Sequence, residues 1–278
     1  MVEIVAGKVV QLTKNVRRIT APNPGVMTGP GTNTYLVGSN QVAVIDPGPA
    51  EPSHIQAILD ACDGKLAWVL VTHTHPDHSP AAAVLAEKTG AILIGNVLEK
   101  NDGHQDDSFV PDESFQHNQC VSCDEFTIRA IYTPGHVDNH ICFLVEDDGL
   151  LLTGDHIMQG STVVIIPPHG DMKDYIESLQ LLLDYPVKAL GPAHGHVIDD
   201  PKDEIQRLVD HRMGRENKVV DVLAIERNGT LDSLTPLVYD DVDSSLHPIA
   251  RYSLLAHLLK LEKDQRASQV NDEWTFTD

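Results

Sequence analysis

Cysteine is scarce, with four residues in 278: Cys62, Cys120, Cys123 and Cys142. They are too few and too scattered for a disulfide framework in a chain of this length, and they read as reduced thiols. Cys120 and Cys123 form a C-x-x-C, but no second pair and no neighbouring histidine pair completes a structural zinc site around them. Long apolar runs are also missing, since nothing approaches the roughly 18 residues that a membrane helix needs. The N-terminal Met1–Leu12 stretch alternates charge and apolarity, unlike a basic, apolar, small-residue leader. The expectation is a cytoplasmic chain with no membrane partner. Basic residues are the third shortage, 20 Lys and Arg against 41 Asp and Glu, for a formal net charge of −21. Such a field excludes duplex DNA as a partner held by overall charge, although a local basic strip remains open.

What is present is a hydrophobic content of 41%, enough for one large core and a small appended module. Short runs rich in Val, Ile and Leu predict strands over Gly7–Thr13, Thr34–Val37, Val42–Ile45, Leu66–Val71, Ala91–Ile94, Thr127–Ile131, Cys142–Val145, Leu150–Leu152, Val163–Ile166 and Lys188–Leu190. Helices fit Pro52–Ala61, Pro80–Thr89 and Asp171–Leu183, the last with a 3.6-period apolar face suited to lying on a sheet. After His196 the pattern turns helical over Asp203–Ile225, Leu231–Tyr239 and Pro248–Lys263, with Asn228-Gly229 as a breaker and Pro248 as a starter. The division is therefore a domain over 1–200, a helical cap over 201–266 and a loose polar tail over 267–278.

The chemistry concentrates in Thr72-His73-Thr74-His75-Pro76-Asp77-His78, directly after the apolar run Leu66–Val71. Four potential ligands lie within six residues at a strand end, where irregular backbone can converge side chains on an ion. Pro76 rules out an ordinary helix through the cluster. Imidazoles mixed with a carboxylate match the ligand preferences of zinc. Three further candidates follow apolar stretches beside glycine: His136 in Thr-Pro-Gly-His, Asp155 in Thr-Gly-Asp and His194 in Gly-Pro-Ala-His-Gly. Asp46 is a candidate partner for the second ring nitrogen of a ligand histidine, or else a turn aspartate before Pro47.

The H-x-H-x-D-H string followed by T-P-G-H, T-G-D and a late G-x-x-H-G element resembles the metallo-beta-lactamase superfamily over about residues 5–200. That resemblance implies an α+β fold, an αββα sandwich with metals at one edge. It implies His73, His75 and His136 on a first divalent ion, Asp77, His78 and His194 on a second, and Asp155 bridging. The Gly29–Val37 segment, the Asp46-Pro47-Gly48 turn and the pattern from His211-Arg212 to Leu261 look like the beta-lactamase-like protein 2 branch, in which a winged-helix-like cap follows and a well-known member cleaves single-stranded RNA. Two departures stand out. Ala193 occupies a position where the branch shows glycine, and His169 has no ligand counterpart; His169 could touch substrate at the pocket mouth or be an exposed loop residue.

The implied reaction is hydrolysis by a metal-bridging hydroxide, with Asp77 as the catalytic residue that orients it or relays its proton. Single-stranded RNA leads as substrate, with thioesters, lactones or beta-lactams as small-molecule alternatives, and a catalytically silent metal-binding protein as a different class. The RNA reading leans on Lys202, Arg207, His211, Arg212, Arg215 and Lys218 in the first cap helix, with Arg251, His257 and Lys260 in the last. Arg212 and Arg215 are its candidate phosphate contacts. The competing reading is an exposed face neutralised by Asp203, Glu204, Asp210 and Glu216. Self-association is compatible with either.

Overall fold

The structure, a computed structural model, describes residues 3–100 and 103–277. The chain divides into two units. The first comprises residues up to 133, 139–161 and 185–201; the second comprises 134–138, 162–184 and the chain from 202 onward.

Two sheets build the first unit. The first holds β1 (Val10–Gln11), β2 (Val16–Thr20), β3 (Asn33–Val37), β4 (Val42–Ile45), β5 (Leu66–Leu70) and β6 (Ile92–Ile94), in that order. Its helices are α1 (Pro52–Cys62) and α2 (Ala81–Thr89). The second sheet holds β7 (Cys120–Ser122), β8 (Thr127–Tyr132), β9 (Ile141–Val145), β10 (Leu150–Gly154) and β11 (Ala189–Pro192), in the order β11-β10-β9-β8-β7.

Side chains alternate across a strand, and β4 shows both results. Ala43 and Ile45 enter a core shared with Phe143, Val145 and Leu152 of the opposite sheet. Val42 and Val44 instead meet Ile55, Ile58 and Leu85 of α1 and α2. Covering on both faces explains why the strand reads as an unbroken apolar run.

Strand direction then sets where the loops gather. β4 and β5 are parallel, so both end at one edge of the first sheet. In the second sheet β9 is antiparallel to β8 and to β10, and β10 is parallel to β11. Hence β8, β10 and β11 all finish at one edge, and the residues that follow them are Thr133, Asp155 and Ala193.

The second unit contains α3 (Met172–Leu181), α4 (Pro201–Glu226), β12 (Asn228–Gly229), α5 (Leu231–Val238), α6 (His247–Lys263), β13 (Ala267–Val270) and β14 (Glu273–Phe276). Asp171 caps α3 by accepting from the backbone N–H groups of Lys173 and Asp174, which also complements the helix dipole. Lys173 binds Asp264, and Lys263 binds Asp171, so α3 joins the end of α6 by two ion pairs.

Two expectations need correction. The tail after Arg266 is not loose: β13 and β14 form a hairpin that β12 extends into a three-stranded sheet. Trp274 explains the order, because it is 0% exposed and packs with Val219, Leu223, Leu254 and Leu258. The expected strand Val163–Ile166 is unpaired. Side chains take its carbonyls instead, Arg212 Nη2 donating to Val163 O at 2.6 Å and His136 Nδ1 lying 2.7 Å from Val164 O.

Trp274→Ala is expected to lower unfolding free energy by about 3–5 kcal/mol, the cost of emptying a large aromatic site. Denaturant unfolding checks this, and a cost under about 1 kcal/mol would show that the wing adds little.

Candidate metal centre

The His73–His78 loop starts where β5 runs out, and one buried carboxylate sets its path. Asp46, at the end of β4, accepts from Thr72 N and Thr72 Oγ1 at 2.8 Å each and meets His78 Nδ1 at 2.9 Å. Asp46 has φ 49, a left-handed conformation that Asp tolerates better than most residues. Thr34 Oγ1 donates to the Asp46 carbonyl and lies 2.8 Å from His54 Nε2, so a further buried histidine backs the turn. With Nδ1 of His78 engaged, its Nε2 points onward and has no hydrogen-bond partner although fully buried.

Two groups of side chains among the described residues could hold ions. One is His73, His75, His136 and Asp155; the other is Asp77, His78 and His194; within each, the ligand atoms lie within 4.8 Å of one another. All seven residues singled out from the sequence fall into these two groups. Nε2 of His73 and Nδ1 of His75 face each other at 2.9 Å. His194 Nε2 lies 3.3 Å from both Asp77 Oδ2 and Asp155 Oδ1, while His78 Nε2 is 3.4 and 3.6 Å from the same two oxygens. His136 sits on the short segment that leaves β8 through Thr133 and returns at Asn139. A buried nitrogen without a hydrogen-bond partner, aimed at two carboxylates among converging imidazoles, fits a divalent metal ion.

Backbone geometry permits the convergence. At Gly154, φ 49, a Cβ would come within 2.7 Å of both Thr72 Oγ1 and His140 Nε2, so only glycine lets β10 turn into Asp155 here. His140 accepts from Asp155 N at 3.2 Å and pairs with Thr133 Oγ1, a supporting role that no spacing signal in the sequence marked. Ala193 is accommodated because its φ is not positive; the left-handed step falls on Gly195, φ 90. His169 places Nδ1 2.8 Å from Asp138 Oδ2.

The arginines of α4 are committed elsewhere. Arg212 is 3% exposed, donates to Val163 O and stacks 5.2 Å over the Tyr175 ring. Its expected role as a phosphate contact gives way to one holding the 163–166 segment. Arg215 forms a forked pair with Asp241 and donates to Val238 O.

With this geometry in place, comparison with known proteins is informative. The family described as the metallo-beta-lactamase superfamily matches residues 27–194, and the beta-lactamase associated winged helix domain matches 230–274. The chain belongs to the metallo-beta-lactamase superfamily. A Drosophila melanogaster beta-lactamase-like protein 2 homolog is 31% identical over 95% of this chain and 94% of its own length. The lactamase-like protein aptB of Emericella nidulans is 30% identical over 93% of this chain and 84% of its own. A beta-lactamase domain protein from Burkholderia ambifaria shares the fold, with a TM-score of 0.82 at 21% identity over 99% of this chain and 95% of its own. Members of this superfamily are typically hydrolases that bind divalent metals, and this chain has the His and Asp groups for it. No helix among the described residues is long and apolar enough to cross a membrane.

Without an ion the carboxylates are held by protons. Burial opposes charge on His194 most strongly, but Asp155 and Asp77 override it and raise its pKa to about 9. Burial likewise works against charge on His78, and Asp77, Asp155 and Asp46 together push it well above the usual range. Ion binding must displace these protons, so zinc added to metal-free protein at pH 7 is expected to release roughly two or more per chain. Calorimetry in buffers of differing ionisation enthalpy counts them, and zero release would contradict the arrangement.

Proposed function

We propose that this protein is a dinuclear zinc hydrolase, with His73, His75 and His136 on one ion, Asp77, His78 and His194 on the other, and Asp155 reaching both. The observation that carries the reading is Asp155 itself. It groups with His73, His75 and His136, yet its Oδ1 also lies 3.3 Å from His194 Nε2. Divalent ions bound there supply Lewis acidity and a water of lowered pKa, which suits attack on a carbonyl or phosphoryl centre. Asp77 is the residue that orients the attacking water and carries its proton. Thr32 Oγ1 donates to its Oδ2 at 3.1 Å and fixes the carboxylate. Burial works to protonate Asp77, but His78 and His194 hold its pKa well below the usual carboxylate range, so it is an acceptor at neutral pH.

For substrate we favour an acyl compound, a thioester or lactone, over single-stranded RNA. An RNA groove needs unpaired cations to follow phosphates. Arg207 is paired with Glu204, Arg215 with Asp241, Lys218 with Asp240 and Asp241, Lys260 with Glu216 and Asp264, and Arg251 with Asp232. Surface pairs of this kind are individually weak, but a phosphate would have to compete with each. RNA stays the second reading, supported by the likeness to the beta-lactamase-like protein 2 branch.

The test is a panel of acyl thioester, lactone, nitrocefin and single-stranded RNA with protein carrying about two zinc ions per chain. Thioester or lactone turnover is expected to change less than about twofold in Arg215→Ala/Lys218→Ala and to be insensitive to salt. Asp77→Asn is expected to lower kcat at least about 100-fold while zinc content and fold are retained. RNA cleavage that falls selectively in the double variant, with a shallower salt dependence, would replace the acyl reading. Full zinc loading with no turnover on any member would leave a silent metal-binding protein.

A further inference from the structure

A cavity of about 520 Å³ lies where β1 and β2 meet the segment after His194, and none of the seven proposed metal ligands lines it. Its volume is in the range of small-molecule sites. Apolar side chains form much of its wall, among them Val9, Leu12 and Val197. Arg18 also lines it and is 6% exposed, a charge almost wholly withdrawn from water.

Strand geometry puts that charge there. Arg18 shares a face of β2 with Val16, which belongs to the core between the sheets, so its side chain is directed inward. Its Nη1 donates to Gly195 O at 3.3 Å. Nε is buried without a hydrogen-bond partner, and no carboxylate pairs with Arg18 among the described residues. Burial of a guanidinium without an anion is costly unless a ligand completes it.

We propose that this cavity binds a small amphiphilic carboxylate, its headgroup on Arg18 and its hydrocarbon body against Val9, Leu12 and Val197. The flat fork of a guanidinium matches a carboxylate in two hydrogen bonds. Lys8 on the lining adds a second positive charge, while Glu3 and Asp199, also on the lining, disfavour a doubly charged phosphate monoester. The site is independent of which substrate the metal centre takes.

Octanoate titrated calorimetrically into the zinc-loaded full chain tests the proposal, with octanol and octyl phosphate as comparisons. Octanoate is expected to bind more tightly than either. Arg18→Met is expected to weaken octanoate at least about tenfold, as loss of a charge-assisted contact does. Val9→Trp, which fills the cavity without touching the charge, is expected to do the same, and it keeps the test decisive should Arg18→Met fail to fold. Unchanged octanoate affinity in Val9→Trp would place the binding at the metals and overturn the proposal. Tighter binding of octyl phosphate, or equal binding of octanol, would overturn the carboxylate assignment.

Discussion

The three bonds made by the Asp46 carboxylate are the constraint on which the rest of the centre depends. They bind the end of β4 to Thr72, which leads into the histidine loop, and to His78, three positions before α2 begins. A carboxylate buried this way is tolerable because every bond it makes is to a donor, and such charge-assisted bonds are the strong ones. Once Nδ1 of His78 is spoken for, Nε2 is aimed at Asp77 and Asp155, and the spacing of the seven side chains follows from strand ends that the sheet directions had already brought to shared edges. Precision at an ion requires this sort of support behind the ligands.

Much of this was legible in the residues. Strands covered largely on both faces announce themselves as runs of Val, Ile and Leu, and most of the ligands sit soon after such runs, so β4, β5, β10 and these metal candidates are read together. Asp46 was legible only as one of two alternatives, because its partners lie 26 and 32 positions away and no local pattern reports a long-range bond. Val163–Ile166 misled for the converse reason. Its composition suits a strand, but its carbonyls are claimed by Arg212 and His136. The final hairpin was less legible than the rest of the expected winged-helix-like cap, because half of its strand residues are polar and β13 is mostly exposed, and the burial that orders it comes from Ala267 and Trp274.

The cap shows how little a charge count says about a surface. Cationic residues crowd α4, yet most of those that the sequence suggested for phosphate are paired, and Arg212 is buried. In a chain of net charge −21 the acidic partners are plentiful, so cations are used up as internal ties. Glu216 illustrates the pattern: it is buried between Lys260 and His257, and Lys260 reaches Asp264, which in turn meets Lys173 of α3. These pairs connect α3, α4 and α6 and assign the cap a structural charge network.

The most direct measurement of the central claim is zinc affinity in Asp46→Asn. Asparagine keeps the volume and tolerates the left-handed backbone, but its single carbonyl oxygen cannot accept from Thr72 N on one side and from Thr72 Oγ1 and His78 Nδ1 on the other, so its NH2 must face one of these donors. Affinity is expected to fall by about 10–100-fold, with the circular dichroism of the native fold retained. Wild-type affinity in a folded Asp46→Asn protein would contradict it.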